Sequence, residues 1–396
     1  MSDFMLKKDS RTPVIIVGNH IQSLGIIRSL GRQGICTYLL NQHYFCISKF
    51  SRYTKFIKSP PVENEKKFID FLINIGQKEK TKGGVLVPTN DKAICLIAKN
   101  KEELEQFFIV PTPSWDVVKL SIDKRLAHSV ALKCNIETPK TFFPNNEENL
   151  MKILNMLEYP VILKPAMIHK FYKKAKVKAI QANSENELLE SYKYMSKVID
   201  PEEIMIQELI PGGPEYLYTF GSFFKNGSPL AVWTGRKIRQ KPMDFGDCTL
   251  AESVFEQRVI DIGSKFLKEI NYYGISEVEI KMDPKDGKFK FIEMNPRTWL
   301  WHSLAIRTGI DFPLILYKDI SGEKLGEMRS FEENVKFIHF YTDLYVSIKL
   351  ILSRKLSIND YIKSITGKKE FAVFSFEDPM PFVAETLLLP YLWLTR

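Results

Sequence analysis

Short apolar runs alternate with stretches of helical period at the start of the chain. Pro13 to Val17 (PVIIV) has the texture of a buried strand, Gly18 breaks it, and Ile21 to Gly31 carries apolar residues at helical spacing. A second apolar run, Ile35 to Leu40, predicts the next strand. Gly84 to Pro88 (GVLVP), with Asp91 to Lys99 behind it, repeats the strand–helix pair. Such alternation predicts a parallel sheet with helices on its faces, hence a doubly wound α/β opening. The turn from Gly18 to Gly25 could lay a helix N-terminus against an anion. Its glycines do not complete a dinucleotide fingerprint, and no clear acidic ribose partner follows the second strand, so a structural turn is the better reading.

From about Ser121 the texture changes. Ile122 to Cys134 has helical spacing, Pro139 to Phe143 is extended, and Pro160 to Pro165 (PVILKP) is a strand ending in a lysine. Leu188 to Val198 is helical, and Glu203 to Ile210 is a strand closed by Pro211-Gly212-Gly213. Further strands are expected at Leu217 to Phe224, Leu230 to Arg239, Val278 to Met282 and Phe289 to Met294, with a hairpin turn at Asp286-Gly287. Strand-rich stretches separated by helices suggest an α+β portion. Beyond Ile320, Phe337 to Leu352 reads as a buried helix with few charges, and Pro381 to Trp393 is again apolar. The expected division is residues 1–115, then 116–325 in two lobes (about 116–205 and 206–325), then a mostly helical extension over 326–396.

Among the 396 residues, 44% are hydrophobic and 26% charged, as in ordinary soluble globular proteins. No apolar run reaches the ~18 residues of a spanning helix, and Met1 to Arg11 lacks the apolar core of a secretory signal. Five scattered cysteines, with no zinc-like spacing, fit a reducing compartment. The expected location is the cytoplasm, with the inner face of the membrane left open by the apolar, aromatic C-terminal stretches. The net charge of +9 favours anionic partners. No nucleic-acid motif accompanies it, so phosphate-bearing small molecules are expected rather than nucleic acid. Homodimerisation is also left open.

The strongest local pattern is Glu279-Ile280-Lys281-Met282-Asp283 followed by Phe291-Ile292-Glu293-Met294-Asn295-Pro296-Arg297. Residues two apart on a strand share a face, so Glu293, Asn295 and Arg297 converge, with Glu279 across the hairpin. Two carboxylates and an amide oxygen are hard ligands suited to Mg²⁺, or to Mn²⁺, held against phosphates. Arg297 adds a planar cation for a transferring phosphoryl group. Taken alone, the hairpin is better read as a solvated polar face neutralised by Lys281 and Arg297. Thr234 to Gln240 alternates cations, with Lys237 and Arg239 on one side as candidates for a substrate carboxylate or its acyl phosphate.

In its order of elements the segment Lys164 to Arg297 resembles the ATP-grasp superfamily. The resemblance, covering about Lys124 to Ile320, implies ATP and Mg²⁺ as cofactors and a two-lobed α+β domain behind an α/β opening. It implies phosphate contacts from Lys124 and from Lys164 in PVILKP, an adenine hinge at Gln207-Glu208-Leu209-Ile210, and ribose binding by Glu215. It implies metal binding by Glu279, Glu293 and Asn295, with Arg297 at the reacting phosphoryl. The KIRQ…FG…AES pattern, through Phe245, Gly246 and Glu252, looks like the carboxylate–amine ligase branch, with D-aspartate ligase and carbamoyl phosphate synthetase-like proteins as more distant relatives. The implied activity is ATP-dependent joining of a small carboxylate to a small amine through an acyl phosphate. A carboxyphosphate-type carboxylase and a catalytically silent nucleotide-binding protein are the alternatives. One departure is Ala166 to Lys178, where the family carries a glycine-rich phosphate loop and this chain has no glycine. Its lysines could replace backbone N–H groups as a closing lid, or form a solvated basic loop, and both readings stay open.

Overall fold

The computed structural model describes residues 12–167, 171, 175, 177–243 and 246–395. Strands β1 (Val14–Val17), β2 (Thr37–Asn41), β3 (Thr54–Lys58) and β4 (Val85–Pro88) form a parallel sheet in the order β3-β2-β1-β4. β1 and β2 are buried throughout, which is why VIIV in β1 and Tyr38 to Leu40 in β2 read as apolar runs. β3 escaped the pattern because its sequence, TKFIK, alternates lysines with apolar residues, as suits an exposed edge. Helix Asp91–Lys99 is capped by Asn90, whose Oδ1 accepts from the Ala93 amide at 3.0 Å. That cap places Asp91 in the first turn, facing the rest of the chain.

Two further sheets follow. β5 (Thr141–Phe142), β6 (Val161–Pro165), β7 (Ile180–Ala182) and β8 (Ile204–Glu208) form an antiparallel sheet in the order β5-β8-β6-β7. The large sheet is built from β9 (Leu217–Lys225), β10 (Ser228–Lys241), β11 (Asp247–Ser253), β12 (Gly274–Met282), β13 (Phe289–Asn295), β14 (Lys336–Ile338) and β15 (Lys369–Phe371). Their order is β13-β12-β9-β10-β11-β14-β15. The expected β12–β13 hairpin forms, with Gly287 at φ +71° in the left-handed region that a glycine enters without strain. The helix expected at Ile122 to Cys134 forms over Lys124–Lys133, and Asp123 separates it from a preceding helix, Trp115–Ile122. The Asp123 carboxylate caps the second helix, accepting from the Arg125 amide at 3.0 Å.

The segment from 326 onward supplies strands as well as helices, because β14 and β15 extend the large sheet beyond β11. Phe337 to Leu352, expected as a buried helix, divides into the end of β14 and helix Phe340–Leu352. That helix turns Asp343 and Ser347 inward and leaves Leu344 and Ile348 exposed. The reason is Arg239 on β10, whose Nε and Nη2 donate to the two Asp343 oxygens at 2.9 and 2.8 Å, in a pair 5% and 1% exposed. A second buried pair closes the other side. Arg28 on helix Ile21–Arg32 donates to Asp378 at 3.0 Å, and Ser51 and the Arg52 amide donate to the same carboxylate at 2.7 and 3.0 Å.

Removing one partner of such a pair strands the other without its counter-charge. Asp378→Ala should therefore cost about 3–5 kcal/mol, measured as a lowered urea midpoint with an unchanged slope.

Candidate active site

The site is built on the β12–β13 ladder. Glu279 lies directly opposite Glu293, and Glu277 opposite Asn295, so the four side chains share one face. Facing carboxylates repel, and two lysines from distant parts of the chain neutralise them. Lys124, first residue of its helix, donates to Glu293 at 2.8 Å, and Lys237 on β10 donates to Glu279 at 3.0 Å. Glu277 accepts from Thr219 at 3.0 Å and from the Asn295 amide at 3.1 Å. Asn295 Oδ1 accepts from Arg297 Nη2 at 3.4 Å, while Arg297 Nε donates to Asp91 at 2.6 Å and Nη1 to the Thr298 carbonyl at 3.0 Å. Lys164, near the end of β6, donates to the Gln207 side-chain oxygen at 3.0 Å, and Gln207 donates to Thr141 at 2.9 Å.

Burial sharpens the charges. The Lys124 ammonium, outweighing desolvation, pulls the Glu293 carboxyl down to about 2. Burial works against the Lys237 ammonium, yet Glu279 beside it keeps its pKa well above the usual lysine range. Glu277 goes the other way: burial, then the neighbouring Glu279 charge, pushes it up to about 8. Burial and then the Lys124 charge bring Lys164 down to about 7. Lys124, Lys164, Lys237 and Arg297 thus surround Glu277, Glu279 and Glu293 in a low-dielectric space, and with Glu277 held mostly as the neutral acid near pH 7 the arrangement favours added negative charge.

The segment after Arg297 is anchored from behind. Trp299 and Trp301 are 1% exposed, and Trp233 stacks on Trp299 with ring centroids 5.7 Å apart. A Cβ on Gly221 would meet Trp299 at 2.2 Å, so the glycine is what lets the indole lie against β9. Gln22 donates to the Thr298 carbonyl at 3.1 Å, and His302 Nε2 lies 3.0 Å from the Gln22 carbonyl oxygen, tying this turn to the first helix.

The Carbamoyl-phosphate synthase L chain, ATP binding domain family matches residues 248–328. The chain is 22% identical to the D-aspartate ligase of Enterococcus faecium over 72% of its own length and 70% of that protein. It is likewise 22% identical to the carbamoyl phosphate synthase large chain of Methanothermobacter thermautotrophicus, over 82% of its own length but only 32% of that protein. In three dimensions it superposes on the biotin carboxylase domain of the Hydrogenobacter thermophilus 2-oxoglutarate carboxylase with a TM-score of 0.64 at 19% identity, covering 83% of this chain and 74% of that one. That protein was solved with MgADP and bicarbonate. The chain has an ATP-grasp fold.

On this fold Lys124, Lys164, Lys237, Glu279, Glu293, Asn295 and Arg297 come together at one place. Arg239, expected beside Lys237 at the substrate, is instead committed to the C-terminal segment. Asp343 takes Nε and Nη2, and Ser364 accepts from Nη1 at 2.7 Å. The hinge residues lie at the end of β8, but the Glu208 carboxylate pairs with Lys290 at 3.0 Å and the Ile210 carbonyl accepts from Lys281 at 2.8 Å. Glu215 is exposed beyond the Gly212-Gly213 turn. Most of the glycine-free stretch, His169 and four of its lysines included, lies outside the described residues, as does Phe245.

Two residues of the cluster escaped sequence reasoning. Glu277 had a signal, the same two-residue spacing from Glu279 that marks Glu293 and Asn295. Asp91 had none, since 206 residues separate it from Arg297. No three His, Cys, Asp or Glu side chains among the described residues form a ready metal cage. Two carboxylates paired across a ladder, with an amide oxygen beside them, do fit Mg²⁺, which takes one or two carboxylates and fills its shell with phosphate and water. Gly221→Val should push Trp299 out of place and destabilise the ATP-grasp fold by about 1–3 kcal/mol, read as a lower melting temperature with loss of near-ultraviolet tryptophan circular dichroism.

Proposed function

We propose that this chain is an ATP-dependent carboxylate–amine ligase working through an acyl phosphate. The observation that carries this reading is the ladder of Glu279 against Glu293, flanked by Lys124, Lys164 and Arg297 in an ATP-grasp fold. The similarity to a D-aspartate ligase over most of both chains supports it. Glu279, Glu293 and Asn295 would hold Mg²⁺, which would supply positive charge to offset that of the phosphates. The adenine would meet the backbone of Gln207-Glu208-Leu209-Ile210 and the ribose Glu215. The domain limits 1–115, 116–325 and 326–396 belong to the same reading.

In the first step an oxygen of the substrate carboxylate attacks the γ-phosphorus, and the bond to the bridging oxygen breaks with departure of ADP. Lys164 and Arg297 hold the transferring group in line and offset its charge, so positioning and electrostatics supply most of the acceleration. Lys237 faces the acyl phosphate. The amine nitrogen then attacks the acyl carbon, phosphate leaves with its bonding electrons, and the amine loses a proton to give the amide. No side-chain nucleophile takes part. The biotin carboxylase likeness supports a second reading, in which bicarbonate is the carboxylate and carboxyphosphate the intermediate.

Glu293→Ala should abolish ADP formation, to below about one hundredth of the starting rate, while leaving the melting temperature close to that of the parent. Full turnover in that variant would remove Glu293 from the metal set. ADP release that depends on bicarbonate and ignores added organic acids would select the carboxylase reading. Lys164 binds phosphate when protonated, and its pKa lies at about 7. ATP affinity should therefore weaken as pH rises through that value, with net proton uptake on binding above it. Calorimetry should show this slope in the parent and a shallower one in Lys164→Met.

A further inference from the structure

Helix Phe340–Leu352 is amphipathic in the inverted sense. Its polar Asp343 and Ser347 are buried against the large sheet, while Phe340, Leu344, Ile348 and Leu352 are 42%, 36%, 48% and 79% exposed. Spaced four apart, these side chains make one apolar stripe along the outer face. The stripe continues onto its neighbours. Tyr341 stacks on Phe382 of helix Met380–Thr395 at 5.6 Å; that helix exposes Leu387 at 76%, and the segment before it exposes Phe376 at 90%. Beyond Leu352, helix Ile358–Ile365 presents Ile358 and Ile362, again four apart and exposed. A surface helix ordinarily buries such a stripe, and a patch of this kind on one side of a molecule marks an interaction surface.

The charges around the stripe say what covers it. Residues 344–369 hold six lysines and arginines (Lys349, Arg354, Lys355, Lys363, Lys368, Lys369) against one acid, Asp360, and Lys368 is paired with Glu332, which leaves six minus two, or +4. A second copy seated here by two-fold symmetry would bring two such positive patches face to face, which costs rather than gains free energy. An anionic lipid surface answers both features at once, taking the apolar stripe into its interfacial region and the cations against its headgroups. Exposed Tyr44 and Phe45 lie at the same side, with Phe45 5.9 Å from Tyr391 and Lys49 over the Tyr44 ring at 3.0 Å, the aromatic–cation pairing found at membrane interfaces. Among the described residues no helix is long and apolar enough to cross a membrane. We propose that the outer faces of helices 340–352, 358–365 and 380–395 form a peripheral docking surface for an anionic lipid bilayer.

The test is co-sedimentation of the full chain with vesicles of phosphatidylcholine alone or with phosphatidylglycerol added, at low and high salt. Sedimentation velocity without vesicles runs alongside. Binding should require phosphatidylglycerol and weaken with salt. Leu344→Glu with Ile348→Glu should weaken it by roughly tenfold or more per lost side chain, with an unchanged unfolding midpoint because both residues face outward. Arg354→Ser with Lys355→Ser, which spares the apolar stripe, should weaken it by roughly fivefold per charge. No binding to the anionic vesicles, or binding indifferent to both pairs of substitutions, would overturn the proposal. A dimer that dissociates in the Leu344→Glu, Ile348→Glu variant, with no vesicle binding by the parent, would overturn it in favour of self-association.

Discussion

Placing Glu279 directly opposite Glu293 on adjacent antiparallel strands brings like charges together where the sheet is largely buried. Such a ladder forms only if cations arrive from elsewhere, and here they come from a helix N-terminus at Lys124 and from mid-strand at Lys237. The carboxylates therefore set conditions on three separate segments of the chain. The helix break at Asp123 aims Lys124, the place of β10 two strands from β12 sets the reach of Lys237, and the Thr219 hydroxyl on β9 fills the space beside Glu277. A site held by mutual neutralisation is also poised to exchange partners, since incoming phosphates compete for the same lysines.

Period-two spacing made Glu293, Asn295 and Arg297 legible, and the Asp-Gly pair made their hairpin legible, because both are local properties of a strand. Lys164 was readable for the same reason, as the polar residue closing an apolar run. Long-range partners were not. Asp91, Asp343 and Asp378 look like ordinary acids in the sequence, and their importance lies in the arginines they meet 206, 104 and 350 residues away. The period of Phe340 to Leu352 was correctly helical, but periodicity does not say which face points inward. One arginine, Arg239, decided that by drawing in Asp343, and the same commitment takes its guanidinium from the substrate role expected for it.

The two buried arginine–aspartate pairs have a common consequence. Each joins the last 60 or so residues to an earlier part of the chain, Arg239 to the large sheet and Arg28 to the first helix. Buried pairs gain little over well-packed apolar residues, but a misplaced one leaves a bare charge inside, so they specify where a segment docks more than how tightly. Specificity of this kind frees the outer face from any packing duty. The apolar residues of helix Phe340–Leu352 are thereby available to a partner, where an apolar inner face would have consumed them.

Arg297 links these levels. Its Nε–Asp91 bond reaches the helix behind the first sheet, its Nη2–Asn295 bond reaches the carboxylate ladder, and its Nη1 holds the Thr298 carbonyl that also accepts from Gln22. The turn carrying it is plugged by Trp299 against a β9 that lacks a side chain at Gly221. The β5–β8 sheet, which carries Lys164 and Gln207, meets the ladder through side chains such as Lys290 with Glu208. The large sheet thus fixes the carboxylates and Arg297 against one another, and the smaller sheet contributes a lysine whose pKa burial brings down to about 7, so that an anion beside it would favour its charged form.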